Sequence, residues 1–397
     1  MVLLLVIIYL AFISLGLPDS LLGSAWPTMY EGLGVSIDSV GIISMIIAGG
    51  TILSSLWSDR MIKHLGTGKV TLISVAMTAI ALMGFSFSNS FVILCLCAIP
   101  LGLGAGAVDA ALNNFVSLHY KAKHMNWLHC FWGIGASLGP IIMSYSLIQW
   151  QSWNCGYGAI SLIQFALVIA LLFTLPLWKK AAIATDKDAE MQQGLSAKNL
   201  IRLSGAKQVL LACFCYCAIE STVGLWGSSY LVTIRGIHSE TAAWWISLYY
   251  LGITCGRFFS GFLSIKFQSK HMIRFGQILI GAGIIILLLP AKGNALLVGL
   301  FLIGLGCAPI FPSLLHETPN HFGSRHSQSM MGLQMACAYV GTTFMPPLFG
   351  LLGASISYYL FPFYIAILLA VMIFMVTLAY QKTEIRANFK QLHKKHL

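Results

Sequence analysis

Three carboxylates, Asp19, Asp109 and Glu220, stand in stretches apolar enough to lie inside a lipid bilayer. An ionised group at mid-depth costs on the order of 2.5 to 3.5 kcal/mol to insert, so such residues usually face a polar cavity and mark an ion or solute path. A carboxylate that gains and loses a proton there alternates between charged and neutral, which is the chemistry of proton coupling. Around the first acid the chain reads Gly16-Leu-Pro18-Asp19-Ser20, with Gly23 and Trp26 at i+4 and i+7, so acid and indole share one helical stripe. Pro18 lacks an N–H and frees a carbonyl, which inside a membrane is tolerated only beside a cavity or a protein partner. Asp109 is followed by Asn113 four residues on, with Asn114 next to it. Acid and amides together can accept from and donate to the hydroxyls of a sugar or polyol.

The next apolar stretch carries His129, a proton-relay candidate, and Trp132, an aromatic plate. Tyr216, Glu220, Gly224 and Gly227 form a further stripe with Trp226 on the neighbouring face, and Tyr249 and Gln334 add polar surface later in the chain. Aromatic rings beside polar groups are a recurrent way to hold a pyranose ring. The competing readings are interhelical bonding for the asparagines, a structural donor for His129 and lipid-facing packing for the aromatic residues.

Groups of this kind must be positioned by membrane-spanning helices. Of the 397 residues 58% are hydrophobic and 9% charged, against about 25% charged in a soluble domain. Solidly apolar stretches recur near 2–30, 38–62, 70–87, 91–118, 125–148, 154–178, 209–234, 242–266, 272–290, 294–315, 328–353 and 356–380. These predict an all-α membrane protein of twelve transmembrane helices; a barrel would alternate apolar and polar residues instead. All but three of the 23 Lys and Arg fall in alternate loops and the tail; Arg235 and Lys292 lie on the other side and Arg257 within a span. That asymmetry, not a basic patch for nucleic acid, explains the net charge of +11 and predicts cytoplasmic termini in a cell membrane. The first span, with no basic leader, is expected to be a retained helix.

Residues 179–206 are the polar exception, a cytoplasmic linker with a short amphipathic helix near Ser196 to Leu203. They divide the chain into a six-helix bundle at 1–178 and another at 207–381, followed by a basic tail at 382–397. The halves repeat at a constant offset: Gly102-Leu-Gly104 answers Gly304-Leu-Gly306, Gly50 answers Gly252, and Asp19 falls near the depth of Glu220. Two pseudo-symmetric bundles around a midplane site suit alternating access. Enzymatic and metal chemistry find no support. Cys213, Cys215 and Cys217 scatter around a helix, and His316-Glu317-Thr-Pro319-Asn-His321 lacks zinc-protease spacing.

Ser55-Leu-Trp57-Ser58-Asp59-Arg60-Met-Ile-Lys63 resembles the signature after the second span of the major facilitator superfamily, with Ser55 and Ile62 where glycine is usual. The resemblance implies a cytoplasmic gate formed by Asp59, Arg60 and Lys63. Gly16-Leu-Pro-Asp19 to Pro27, Glu220-Ser-x-x-Gly224-Leu-Trp226, Gly252-x-x-x-Gly256-Arg257 and Pro309-x-x-Pro312 together resemble the fucose permease branch. That branch implies uptake of a sugar with a proton by a single chain in the bilayer, with no cofactor, and with acids in the first and fourth spans. Gly135-x-x-x-Gly139-Pro140 resembles instead the signature of drug-efflux antiporters, and a non-transporting sensor is the third reading.

Overall fold

The structure, a computed structural model, describes residues 2–120, 122–182, 197–264, 266–290 and 293–395. Its first spanning stretch breaks where Pro18 predicts weakness. Helix α1 (Val2–Asp19) stops at the acid, Ser20 forms a turn, and α2 (Leu21–Met29) resumes beyond it. In an unbroken helix the Ser14 carbonyl would accept the N–H that Pro18 lacks. It accepts instead from Gln164 Nε2 at 2.8 Å, and Gln164 Oε1 accepts from the Thr78 hydroxyl at 2.8 Å. A buried side-chain amide thus restores the bond that the proline removed.

The first half continues with α3 (Val40–Leu65), α4 (Thr67–Phe87), α5 (Phe91–His119), α6 (Ala122–Trp150) and α7 (Trp153–Ala182). A short helix, α8 (Ala197–Ile201), follows the stretch 183–196. The second half comprises α9 (Ala206–Arg235), α10 (Ser239–Leu263), α11 (Ser269–Leu288), α12 (Asn294–His316), α13 (Thr318–Phe322), α14 (Ser324–Ser355) and α15 (Phe361–Lys395).

Packing repeats between the halves. In the first, α1 packs on α6 and α7, α3 on α5, and α4 on α5 and α7; in the second, α9 packs on α14 and α15, α10 on α12, and α11 on α12 and α15. The repeat reaches single residues. A Cβ on Gly102 would collide with the Ile47 carbonyl, and one on Gly304 with the Tyr249 carbonyl, its counterpart at the same offset. Glycine is required at both because two helix backbones touch there.

Eleven stretches of the described chain are long and apolar enough to cross a membrane, one fewer than the sequence predicts. The one that falls short is α10, whose serines, tyrosines, tryptophans and Arg257 depress its hydropathy. At 25 residues it still extends about 37 Å, enough to span. Its polar side chains turn out to serve the interior.

Among the described residues the halves meet mainly where α6 packs on α10, α3 on α14, and α2 on α9 and α10. Several of these contacts gather at the end of the molecule where α2 finishes. Gly41 packs against Pro347 and Ser144 Oγ donates to the Glu240 carbonyl at 2.8 Å there, while at the cavity, near the start of α2, a Cβ on Gly23 would collide with the Gly224 carbonyl.

Candidate functional site

A cavity of about 370 Å³ lies between the halves. Its lining comes from the middle turns of the helices: Asp19 and Gly23 beside the α1–α2 break, Ser44 and Thr51 on α3, Trp132 on α6, Glu220 and Ser221 on α9, Tyr250 on α10, and Tyr339, Thr342 and Thr343 on α14. Polar groups at this depth have a reason to be there, because irregular or polar structure inside a bilayer persists only where it faces protein or a cavity.

The helix break puts Asp19 at the end of a rigid segment, and the acid is exposed, into the cavity, while the residues just before it are buried. Its Oδ2 accepts from Trp132 Nε1 at 2.7 Å. Glu220, from the other half, pairs with Arg257 Nη2 at 3.2 Å, and the two side chains are only 16% and 15% exposed. The guanidinium also reaches the Tyr216 hydroxyl at 3.5 Å and lies 5.3 Å from the centre of the Trp132 ring. Asp19, Trp132, Arg257 and Glu220 therefore form one chain of contacts crossing from half to half. Asp109 sits one turn beyond the cavity-lining Ala105, where Asn113 Nδ2 donates to its Oδ1 at 2.8 Å and the phenol of Tyr339 reaches it across the interface.

Of the residues singled out in the sequence, the structure brings Asp19, Glu220 and Trp132 to the cavity wall and holds Asp109 and Asn113 just beyond it. Tyr216 is buried, stacked on Phe311, and meets the site through Arg257. Tyr249 is buried behind Glu220, donating to its backbone carbonyl at 3.0 Å. His129 lies edge-on to Phe12, one turn from Trp132 and away from the cavity lining.

Three residues expected to bind solute are placed in packing positions. Trp26 is fully buried with its N–H on the Ile37 carbonyl. Trp226 is fully buried, donating to the Pro346 carbonyl at 2.8 Å and stacking on Tyr358. Gln334 is buried and accepts from Thr318 at 2.9 Å. Of the three, Trp26 is the one placed on a helical stripe with an acid, and its indole meets the Ile37 carbonyl instead of lining the cavity. Arg60 is exposed at the end of α3; the side chains of Asp59, Lys63 and Asn114 lie outside the described residues.

Sequence reasoning noted Arg257 without giving it a role and passed over Tyr250, Tyr339, Thr342 and Thr343. An arginine within a span was visible as a costly charge, but its partner stands 37 residues away in sequence on another helix. Thr342 and Thr343 carried a subtler signal. They precede Pro346 and Pro347 by four residues, so their carbonyls lose their helical donors just as Ser14 does before Pro18. Among the described residues no cluster of three or more His, Cys, Asp or Glu could hold a metal ion.

This arrangement of repeated halves around a cavity that sets two acids in a largely apolar wall agrees with a family match that runs nearly end to end, over residues 8–238 and 209–395. The chain belongs to the Major Facilitator Superfamily. It is accordingly a multi-pass membrane transporter of that superfamily, not an enzyme. The glucose/mannose transporter GlcP of Bacillus subtilis (strain 168) is 24% identical over 316 residues, covering 77% of each chain. Among solved structures, the peptide transporter POT superposes with a TM-score of 0.75 at 14% identity, covering 96% of this chain and 95% of that one. The fucose:proton symporter FucP of E. coli gives 0.62 at 15% identity, covering 95% and 98%. At such identities the two structural likenesses are of fold. The sugar symporter is no nearer than the peptide transporter, so the family match carries the superfamily and not the fucose permease branch.

Proposed function

We propose that this chain is a proton-coupled secondary transporter that takes up a neutral, hydroxyl-rich solute such as a monosaccharide by alternating access. The observation that carries the reading is the meeting of Asp19 and Glu220, one from each half, on the wall of a single mid-depth cavity. Carboxylates, phenols, hydroxyls and an indole surround a space of about 370 Å³, within the range of small-molecule sites. Such a lining supplies acceptors, donors and an apolar plate for a sugar ring. The sequence relationship to a glucose/mannose transporter supports the same solute class, and the motifs that resemble the fucose permease branch support proton coupling.

In this reading α10 completes twelve spans in two six-helix bundles, and the protein acts as a single chain in a cell membrane with both termini in the cytoplasm. The contacts of Gly41 and Ser144 then close the outer end and that of Gly23 roofs the cavity beneath them, so the cavity serves the inner face. Asp19 and Asp109 take up protons, Glu220 is held by Arg257, and the solute binds between the halves before they rock about it.

The test is uptake by purified protein in liposomes under an imposed pH gradient, across monosaccharides, polyols, dipeptides and cationic amphiphiles. Accumulation of a sugar that collapses with a protonophore is the expected result. Movement of amphiphiles against the gradient without sugar uptake would replace it with the efflux reading, and exchange of no solute at all with the sensor reading.

A further inference from the structure

Trp132 touches both Asp19 of the first half and Arg257 of the second. Its indole N–H donates to Asp19 at 2.7 Å, its ring lies under the Arg257 guanidinium, and its edge meets Tyr250 with centroids 6.5 Å apart. Its backbone is clamped on two sides. A Cβ on Gly16 would collide with the Trp132 carbonyl, and one on the adjacent Gly133 with the Thr254 hydroxyl of α10. When the surroundings change, the indole is therefore the part that can respond.

We propose that Trp132 is the positioning residue that links the protonation of Asp19 in one half to the Arg257–Glu220 ion pair in the other. The inference rests on the transporter reading for its purpose but not for its test. A hydrogen bond to an ionised carboxylate is about twice as strong as one to a neutral group. While Asp19 is charged, the indole is held between the carboxylate and the guanidinium. Once a proton sits on the carboxylate, that bond weakens and the ring is held mainly by the cation. Arg257, which divides its attraction between the ring and Glu220, then gains freedom to re-pair. Because α6 and α10 form a main contact between the halves, a change at this point acts directly on the interface. Asp109 of α5, Tyr250 of α10 and Tyr339 of α14 also face Asp19, and Tyr216, His129 and Cys130 face Arg257. Free tyrosine titrates at about pH 10, which leaves Asp109 and His129 as the groups able to modulate the linkage.

The experiment needs no solute. Intrinsic fluorescence of the purified protein is titrated from acid to alkaline pH, and the trace of Trp132→Phe is subtracted to isolate the Trp132 signal. A single titration step is expected. It should vanish in Asp19→Asn, and in Glu220→Gln its midpoint should move to lower pH by about one unit, the effect of leaving a nearby positive charge uncompensated. Arg257→Lys, which keeps the charge but loses the planar stacking surface, should reduce the amplitude, and it supplies the same information if Glu220→Gln does not fold. A Trp132 signal indifferent to pH, or a step that survives Asp19→Asn, or a midpoint and amplitude unmoved by both changes in the second half, overturns the proposal. In liposomes, the ratio of uptake at acid to uptake at alkaline pH should fall toward one in Trp132→Phe. A merely structural role would lower both rates and leave that ratio intact. Absence of any solute movement by the wild type would count against the transporter reading, and the fluorescence result would stand apart from it.

Discussion

Asp19 accepts a hydrogen bond from Trp132 in a position open to the cavity, so replacing it by asparagine preserves an acceptor while removing the proton site. In Asp19→Asn, gradient-driven accumulation should fall to the level of protein-free liposomes. Undiminished accumulation would exclude the residue from coupling. Glu220 obeys a different logic, because its charge is matched by Arg257 with both side chains largely buried. Breaking such a pair from one side leaves an uncompensated charge and costs on the order of 3 to 5 kcal/mol, whereas removing both charges costs far less. Glu220→Gln should therefore lower the thermal unfolding midpoint in detergent more than the double variant Glu220→Gln/Arg257→Met. The two acids were legible in the sequence for the same reason, their insertion cost. That one is tied to an indole and the other to a guanidinium was not, since both partners lie on helices distant in sequence.

The helices show how local chemistry is completed by neighbours. Pro18 announces a break in the first span, and the break appears two residues later, at Ser20, yet nothing local says that Gln164 will replace the missing N–H. Gln164→Leu should leave the Ser14 carbonyl without a partner at a cost of about 1 to 3 kcal/mol. Native-state hydrogen exchange around Ser20 should accelerate in that variant while the exchange of α11 stays unchanged. Exchange equal to wild type at both places would mean that water or another donor serves the carbonyl. Helix α10 carries the complementary lesson. Its polarity keeps it below the apolar threshold that the other spans pass, and those same residues, Tyr249, Tyr250 and Arg257, are the ones it contributes to the interior. Hydropathy weakens where a helix does most for the site, because a side chain suited to a cavity is unsuited to lipid.

At the scale of the molecule, the packing repeat relates α1–α7 to α9–α15, and the family match extends over both. The distribution of Lys and Arg further predicts that both termini face the cytoplasm. Green fluorescent protein fused after Leu397 should fluoresce and alkaline phosphatase at the same place should stay inactive; the reverse outcome would invert the orientation and place the sealed end inside. The sequence by itself determined that this is an all-α membrane protein with repeated halves and costly intramembrane acids, because apolar length, charge asymmetry and a constant glycine offset are properties of the chain read in order. Only the tertiary structure decided which polar residues share the cavity and which are packed away, separating Trp132 from Trp26 and Trp226 and joining Arg257 to Glu220. A helical stripe fixes the direction a side chain leaves its own axis, but what it meets there depends on how the other helices cross it.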